Sequence, residues 1–493
     1  MQLWTSWRPE WVIHEDAKLL VVDKPPGMPT QPLHEVADVI TRLREFRPDY
    51  VGLLHPLDRH MSGLVAVSRN ASMNAALAAE LARGVERSYL AVVRKLPKRV
   101  DGFNYESIGR KGERTLLRLS SKAPSQPVRR ALSAAGAPVA GDVENGGEPA
   151  PRLMLHHERM ALGGSTFEAR APDLRAWLEQ RPLEGLLEMA IDRRYGIARR
   201  GDTNAFRLVN DAGDGLPGVE IDLYGEHAVV FVREGDNERV VDDLMRLGLK
   251  GVYLKRRPKK ASDADTRALA PPHAVRGDDA PDPLIVEEAG LRYHVRLGDG
   301  LATGIFLDQR KNRELIRELA AGKSVLNLFG YTAAFTVAAA AGRAASSVTV
   351  DSSKTALARA AENLALNGAE LAQHSLVQGD AMRWLERQKA RFDLVIVDPP
   401  SFSTTRHSMF RAKRDYRDLS TAALRCLARG GSLLACTNHR GIGARELRGL
   451  LAAGARDLGI EVREMRTLPD PVDFPAPLGE SCHLKSVLLV SAP

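Results

Sequence analysis

The feature that most constrains this chain is a regular alternation of apolar segments with helical segments in its second half. The apolar segments have the length and composition of buried strands. They are SVLNLF (324–329), SSVTVD (346–351), HSLVQGD (374–380), FDLVIVD (392–398) and GSLLACT (431–437). Such alternation predicts an α/β domain with a doubly wound, mainly parallel, Rossmann-like sheet.

The length of the chain predicts further domains. At 493 residues it exceeds the roughly 250–300 residues at which a single core stops growing. Short β-like runs between helical stretches predict a mixed α+β domain over residues 1–175. A small α/β accessory domain that binds RNA is predicted over 184–255, with strands near 206–209, 218–222 and 227–232 and a helix near 238–247. Residues 256–283, rich in Pro, Asp and Ala, indicate a linker before the sheet domain at 284–493.

Composition and charge exclude several classes of protein. The longest apolar runs are shorter than the ~18–20 residues that cross a bilayer, and the first residues, MQLWTSWRPEW, lack the apolar stretch of a signal peptide. Three cysteines are too few for a disulfide framework or a Cys-based zinc cluster, and no metal site is predicted. We expect a cytoplasmic protein without membrane association. The net charge of +8 favours a polyanionic partner such as RNA.

The residues that close the predicted strands define a ligand site, because open parallel sheets bind ligands at the carboxyl ends of their strands. The first strand leads into Gly330 without the G-x-G-x-x-G pattern of a dinucleotide site, so nicotinamide or flavin binding is disfavoured. The second strand ends at Asp351, about 20 residues later, the spacing of a carboxylate that binds ribose hydroxyls. Asp380, after the third strand, is placed to accept from an adenine amino group.

The fourth strand ends in DPPSFS (398–403), and its two prolines enforce a rigid turn at the edge of the sheet where the ligand is expected. Together with GIFLDQRKNR (304–313), VLNLFGYT (325–332) and HLKSVLLV (483–490), this turn resembles class I S-adenosylmethionine-dependent methyltransferases. The likeness is narrowest to the RlmI/RlmK group of large-subunit ribosomal RNA methyltransferases. It covers nearly all of residues 285–493 and extends to the segment at 203–225.

This resemblance implies S-adenosylmethionine as the cofactor and ribosomal RNA of the large subunit, or its precursor, as the partner. The implied cofactor-binding residues follow from the matched motifs and are Gln309, Arg310, Asn327, Phe329, Gly330, Asp351, Ser352, Asp380, Asp398 and Pro399.

The residues after the fifth strand bear on which atom is methylated. Attack at carbon 5 of a pyrimidine needs a thiolate, which RlmI-like members carry just after this strand. The equivalent position here is Asn438, and Cys436 is interpreted as a small buried side chain. The segments CTNHRG (436–441) and RDYRDL (414–419) are closer to the RlmK type, which methylates N7 of guanine, where a lone pair already exists. We therefore prefer guanine N-methylation, with Asp398 and Asn438 as catalytic residues, over cytosine 5-methylation.

The first half resembles another family of RNA-modifying enzymes. The segments HEDAKLLVVDKPPGMPTQ (14–31) and HPLDRHMSGLVAVSRN (55–70) are similar to the RluA family of pseudouridine synthases. Matching segments follow in the family's order at 86–93, 127–142 and 152–162. The resemblance therefore spans about residues 10–170.

The resemblance implies isomerisation of uridine to pseudouridine without a cofactor. Asp58 would be the catalytic carboxylate, Arg129 the ion-pair partner that keeps it ionised, and Tyr89 the ring packed against the base. The uridine must be flipped out of the RNA helix to reach them.

Two departures from the RluA pattern keep an alternative open. Pro56 stands where the family has Arg, and KAPSQPVR (122–129) retains only the last Arg of T-G-R-x-H-Q-I-R. The main hypothesis is a bifunctional RNA-modifying enzyme. The alternative is a single-activity methyltransferase whose N-terminal domain only binds RNA and tethers it. A ribosome-assembly factor with both sites idle is disfavoured by the intact cofactor-site carboxylates. The oligomeric state stays open.

Overall fold

The computed structural model describes residues 7–33, 37–47, 51–123, 127–181, 183–233, 238–257, 269–400, 402–404, 409–477, 480 and 483–493. Every predicted site residue lies in these ranges. Residues 124–126 of the synthase-like segment, residues 258–268 of the predicted linker, and Ser401 lie outside them.

Two compact units make up the chain. One comprises Met1–Gly201, Leu208–Glu220 and Pro475–Glu480, and the other comprises Asp202–Arg207, Ile221–Phe474 and Ser481–Pro493. The stretch 184–255, predicted as a small separate domain, is divided between them.

The first unit contains a mixed sheet. Its strands are β1 (Val12–Glu15), β2 (Leu19–Lys24), β3 (Gly52–Leu53), β4 (Ser62–Ser68), β5 (Arg87–Val93), β6 (Asn104–Lys111), β7 (Arg114–Ser121), β8 (Leu155–Leu162) and β9 (Ser165–Glu168). The order is β1-β2-β4-β8-β5-β7-β6, with β3 paired to β4 and β9 to β8. The helices are α1 (Val39–Phe46), α2 (Ala71–Arg83), α3 (Val128–Ala134), α4 (Pro172–Leu178) and α5 (Leu186–Ala198). This arrangement confirms the predicted α+β class.

Local sequence explains where two of these helices begin. The Asp38 side chain accepts a hydrogen bond of 2.8 Å from the Thr41 amide ahead of α1. Asn70 accepts one of 2.9 Å from the Ser72 amide ahead of α2. Both side chains satisfy amides that have no partner within the helix, which is the reason that Asp and Asn favour this position.

A close approach between β4 and β8 requires glycine at position 63. Gly63 pairs with His157 in a parallel register and has a φ of 112°. A Cβ on Gly63 would lie 2.3 Å from the carbonyl oxygen of His157, a distance that no side chain tolerates. This contact brings the loop before β4, which carries Asp58, close to β8.

A five-stranded sheet follows in the chain. Its strands, in sequential order, are β10 (Ala205–Asn210), β11 (Val219–Tyr224), β12 (His227–Val232), β13 (Gly251–Arg256) and β14 (Arg276–Gly277), with helix α6 (Glu238–Arg246) between β12 and β13. β12 and β13 are parallel, as a helical crossover requires. The strands predicted near 206–209, 218–222 and 227–232 are confirmed. β14 lies inside the predicted linker and pairs with β13. The antiparallel strands β15 (Leu284–Glu288) and β16 (Leu291–Val295) come next.

The second unit contains a seven-stranded sheet in the order β19-β18-β17-β20-β23-β25-β24. These strands are β17 (Ser324–Leu328), β18 (Ser346–Asp351), β19 (His374–Gln378), β20 (Phe392–Val397), β23 (Leu427–Thr437), β24 (Val462–Thr467) and β25 (Lys485–Ser491). β25 runs antiparallel to its neighbours. The five adjacent strands β19, β18, β17, β20 and β23 are all parallel. The predicted doubly wound, mainly parallel sheet is confirmed.

Helices connect the strands of this sheet. They are α7 (Arg310–Leu319), α8 (Ala334–Ala341), α9 (Lys354–Leu366), α10 (Ala381–Arg387), α11 (Ala412–Arg425) and α12 (Ala444–Asp457), and β21 (Phe402–Thr404) with β22 (Met409–Arg411) forms a hairpin after β20. Leu394, Val395, Ile396 and Val397 of the central strand are fully buried, which accounts for its continuous apolar run.

Within the part of the chain that the structure describes, none of the helices combines the length and hydropathy needed to span a membrane. The same residues contain no group of three or more His, Cys, Asp or Glu side chains that could hold a metal ion.

Candidate active sites

The first candidate site lies at the carboxyl ends of β17 and β20. β17 lies between β18 and β20, so the strand order reverses at this point of the sheet. Leu328 pairs with Val397 in a parallel register, and therefore Phe329 and Asp398 leave the sheet side by side. A reversal of strand order in an α/β sheet opens the crevice in which ligands bind.

The turn after β17 has an unusual backbone. Phe329, Tyr331 and Ala333 have φ values of 58°, 49° and 60°, which non-glycine residues rarely adopt. Gly330 lies between them, and a Cβ there would be 2.2 Å from Cγ2 of Thr349 on β18. Its amide donates to the Val350 carbonyl at 3.1 Å. Each residue in such a conformation costs of order 1–3 kcal/mol, so it persists only where the surrounding structure holds it. Residues of this kind are concentrated at ligand-binding and active sites.

Asp351 fixes this turn from the end of β18. One oxygen of its carboxylate accepts from the Tyr331 amide at 2.9 Å, and the other accepts from the Ser353 amide at 2.8 Å. A carboxylate oxygen can accept two hydrogen bonds. The half-buried Asp351 therefore retains acceptor capacity at the edge where the sequence predicts ribose hydroxyls.

Asp380 and Ser352 lie at the same edge. Asp380 precedes α10 and its carboxylate accepts from the Arg383 amide at 3.1 Å, so it acts as a helix cap. Ser352 is exposed, and its carbonyl oxygen accepts from the Gln378 side chain at 3.4 Å. Their predicted contacts with a cofactor stay predictions.

Asp398 is held by a neighbour from another motif. Nε2 of the buried Gln309 donates to its carboxylate at 2.8 Å, and Pro399 behind it is buried. Burial and the nearby Asp308 carboxylate raise the pKa of Asp398 to about 7. Burial also raises the pKa of Asp308 to about 6. Sequence reasoning missed Asp308, although it precedes Gln309 in the same FLDQR motif.

Two side chains that the sequence predicts to bind the cofactor are hydrogen-bonded to other side chains of the chain. The buried guanidinium of Arg310 donates to the buried Asp473 carboxylate at 2.7 Å. The buried Asn327 side chain donates to the Thr336 hydroxyl at 3.0 Å. Both side chains stabilise the surroundings of the site, and their predicted contact with the cofactor stays untested.

Cys436 and Asn438 lie at the end of β23. Cys436 is fully buried, and its Sγ lies 3.5 Å from the Ser486 hydroxyl and 3.7 Å from Oε1 of Gln309. Burial, followed by the Asp398 charge, raises the pKa of the Cys436 thiol well above its usual value. A thiol in this environment is a poor nucleophile, because only the thiolate attacks. Asn438 follows the strand and is half-buried.

The second candidate site is a cavity of about 820 Å³ in the first unit. Asp58, Tyr89 and Arg129, which the sequence predicts as a catalytic set, all line it. Nη1 of Arg129 donates to the Asp58 carboxylate at 2.9 Å. Pro56, the departure from the family pattern, lines the same cavity.

A second carboxylate orients Arg129. Its Nε and Nη2 donate to the fully buried Asp142 at 3.0 Å and 2.7 Å. Burial raises the pKa of Asp58, but hydrogen bonds from the His60 amide and from Arg129 outweigh it, so the pKa lies below its usual value. Asp58 is therefore ionised at neutral pH.

Tyr89 is packed into an aromatic wall of the cavity. Its ring stacks on His157 with centroids 4.8 Å apart, and Phe103 meets it edge-on at 6.2 Å. Desolvation by burial raises the pKa of the Tyr89 hydroxyl. The ring is thus held rigidly and remains neutral.

Lys24 fixes the loop that carries Asp58. Its ammonium is buried, and its three N–H groups are shared among the carbonyl oxygens of Pro25, Met28, Arg59 and Met61, which lie 3.0, 2.9, 3.1 and 2.5 Å from Nζ. Burial lowers the pKa of Lys24 to about 7. Sequence reasoning did not select Lys24, although it follows the apolar run of β2 and precedes two prolines.

Comparison with known proteins identifies the family of the second unit. Residues 269–489 match the family model for S-adenosylmethionine-dependent methyltransferases. A ribosomal RNA large subunit methyltransferase of Deinococcus radiodurans is 32% identical over 62% of this chain and 77% of its own length. Ribosomal RNA large subunit methyltransferase I of Aeromonas salmonicida is 30% identical over 59% of this chain and 74% of its own length.

The chain belongs to the S-adenosylmethionine-dependent methyltransferase family. The crystal structure of SMU.776 complexed with SAH has a similar fold, with 29% identity and a TM-score of 0.55 over 68% of this chain and 87% of that chain. This methyltransferase also carries an N-terminal segment, residues 18–129, that matches the family model for RNA pseudouridylate synthase. Both predicted family relationships are confirmed.

Proposed function

We propose that this methyltransferase modifies a base of large-subunit ribosomal RNA in the cytoplasm. The observation that carries the proposal is the Asp398 carboxylate, held by Gln309 beside the strained turn at residues 329–333. The names of the relatives support RNA as the methyl acceptor, and the net charge of +8 favours a polyanion.

The residues at the carboxyl edge of the sheet fit S-adenosylmethionine, which supplies an electrophilic methyl group when it is bound. Asp351 would accept from the ribose hydroxyls with the acceptor capacity that the two amides leave. The turn through Phe329 and Gly330 would contact the cofactor through its backbone, and Ser352 and Asp380 would lie towards the adenine. Gln309 and Pro399 would position Asp398 at the methyl group.

Guanine N-methylation is supported over cytosine 5-methylation by the state of the thiols. Of the three cysteines in the sequence, Cys426 and Cys436 lie in the described part of the chain, and both are buried. Cys436, the one in the methyltransferase site, has a raised pKa. Asn438 occupies the position where a nucleophile would lie. A guanine nitrogen needs only to be positioned, with Asp398 and Asn438 as the polar groups that face it.

A second activity, pseudouridine formation, is supported by the arrangement of Asp58, Arg129 and Tyr89 in one cavity. Asp58 would act at the glycosidic bond as an ionised carboxylate, Arg129 would maintain its charge, and Tyr89 would pack against the uracil. The alternative is that this domain only binds RNA, and Pro56 at the cavity wall favours it, since the family's Arg is absent there.

Nucleoside mass spectrometry tests both activities together. The purified chain is incubated with large-subunit ribosomal RNA transcribed in vitro and with S-adenosylmethionine that carries a deuterated methyl group. We expect labelled methylguanosine together with pseudouridine, with Asp398→Asn removing the first product and Asp58→Asn the second. Labelled 5-methylcytidine would reverse the preference for guanine. Methylation without pseudouridine would support the RNA-binding alternative.

A further inference from the structure

Phe306 is an exposed aromatic side chain at the methyltransferase site. It is 52% exposed, whereas Leu307 and Ile305 beside it are buried. Exposing a large apolar ring to water forgoes the free energy that its burial would release, so a ligand that covers the ring gains that free energy.

The backbone of Phe306 is fixed, so the exposure of its ring is a built feature. Its carbonyl oxygen accepts from Nη2 of Arg313 at 2.8 Å and from the backbone amide of Gln309 at 3.2 Å. Arg313 is itself held by a buried bidentate pair with Glu288, at 2.6 and 2.7 Å. Three buried residues therefore hold the segment that presents Phe306.

The surroundings of Phe306 connect it with both halves of the proposed reaction. Its ring centroid lies 5.3 Å from that of Tyr331, in the strained turn after β17. Gln309, three residues later, donates to Asp398 at the end of β20. The proposed ribose contact Asp351, at the end of β18, and the proposed adenine contact Asp380, after β19, lie on the other side of β17 from β20. Phe306 thus contacts the turn that would hold the cofactor and is linked through Gln309 to the carboxylate that would face the acceptor base.

We propose that Phe306 stacks on the base that receives the methyl group. This inference rests on the proposed function, because a base that is methylated in RNA has to leave its own stack. An exposed aromatic ring on a fixed backbone beside the site would replace the stacking that the flipped base loses. Asp398 then meets the edge of that base while Phe306 covers its face.

Three substitutions at position 306 separate stacking from simple apolar cover. Phe306→Ala should weaken binding of in vitro transcribed large-subunit ribosomal RNA by about tenfold, since one base stacked on an aromatic ring contributes roughly this much. Phe306→Leu should weaken it nearly as much, whereas Phe306→Trp should preserve binding and methylation. Leu371→Ala is a matched control. Leu371 is 51% exposed, but it precedes β19 and therefore lies at the amino ends of the parallel strands, away from the carboxyl ends that form the site.

A spectroscopic measurement reports the contact directly. RNA should quench the added tryptophan fluorescence of Phe306→Trp relative to the wild-type chain, with SAH present in both samples. Absence of quenching, or full RNA affinity in Phe306→Leu, would overturn the inference. A calorimetric loss of SAH affinity in Phe306→Ala without RNA would overturn it too, by assigning Phe306 to the cofactor.

If the wild-type chain methylates the RNA and Phe306→Ala does so equally well, only this inference fails. If the wild-type chain transfers no methyl group, the proposed function fails.

Discussion

The guanidinium of Arg129 donates a 2.9 Å hydrogen bond to the carboxylate of Asp58, across 71 residues of sequence. Its other nitrogens are held by the buried Asp142, so the orientation of Arg129 is set before any substrate binds. Such preorganisation is what a catalytic carboxylate requires from its partner.

Asp58→Asn should abolish pseudouridine formation, a loss of at least about a hundredfold, because it removes the reactive carboxylate at nearly constant shape. RNA binding and methylation should be unchanged, and methylation measured on the same RNA serves as the internal control. If the wild-type chain forms no pseudouridine on ribosomal RNA or its precursor, Pro56 and the altered 122–129 segment were the better guides and the domain is a binding module.

Arg129→Ala should impair the same activity through charge. Burial alone raises the pKa of Asp58, and Arg129 helps to bring it below the usual value. Without Arg129 the folded-state pKa rises, so the activity should be lost at low pH first and recover in part as the pH increases. Arg129→Lys should show a smaller shift in the pH profile. A profile that does not move would contradict the assigned role.

Asp351→Ala should weaken S-adenosylmethionine binding by at least about tenfold, since each lost charge-assisted hydrogen bond contributes roughly 1.5–3 kcal/mol. Isothermal titration calorimetry measures the change. Glu370→Ala is the control and should have no effect on binding. It makes the same change of charge at an exposed carboxylate that precedes β19, at the amino ends of the parallel strands. Equal affinity of Asp351→Ala and the wild-type chain would sink the assignment.

Cys436→Ser should retain methylation, because a buried thiol of raised pKa is not the nucleophile. An RNA that contains 5-fluorocytidine should form no covalent complex with the wild-type chain. The assay is denaturing electrophoresis of the reaction mixture. A trapped complex that disappears in Cys436→Ser would instead establish attack at carbon 5 of cytosine.

The methylation rate should rise with pH through about 7, the pKa to which burial and Asp308 raise Asp398. Below this pH the carboxyl is protonated, so it has lost its negative charge, carries an O–H donor and is a weaker acceptor towards the base. Asp308→Asn removes the neighbouring charge, so the midpoint should move to lower pH. Single-turnover rates between pH 5 and 9, about two units on either side of the midpoint, measure it. An unchanged midpoint in Asp308→Asn would show that burial alone sets the pKa.

Asp398→Asn should raise the melting temperature at pH 8 more than at pH 4. The folded-state pKa of Asp398 lies above its ordinary value of 3.8. Its proton-linked contribution to stability is therefore complete below 3.8 and is lost as the pH rises through about 7. The asparagine keeps the hydrogen bond from Gln309 without burying a charge. A melting temperature that falls equally at both pH values would contradict this reasoning.

Both families and the main strands of the sheet follow from the sequence. Buried parallel strands need continuous apolar runs, and the carboxylates that close them, Asp351 and Asp398, follow directly in the chain. Asp58, Tyr89 and Arg129 were recognisable from the order of their motifs, and one cavity brings them together. These features are local or depend on motif order, so the linear sequence determined them.

Apart from the Asp58–Arg129 pair, which the motifs predicted, only the tertiary structure decided which charges meet. Arg310 pairs with Asp473 across 163 residues, Asp308 raises the pKa of Asp398 from another motif, and Lys24 binds carbonyls from two loops. No local periodicity encodes these contacts, because each depends on how separate segments pack. The same packing leaves Phe306 exposed, although Ile305 and Leu307 beside it in the sequence are buried. Residue type and spacing in the sequence therefore determined which side chains make up the two sites. Burial and pairing between distant segments determined whether each side chain is charged and which side chain it bonds to.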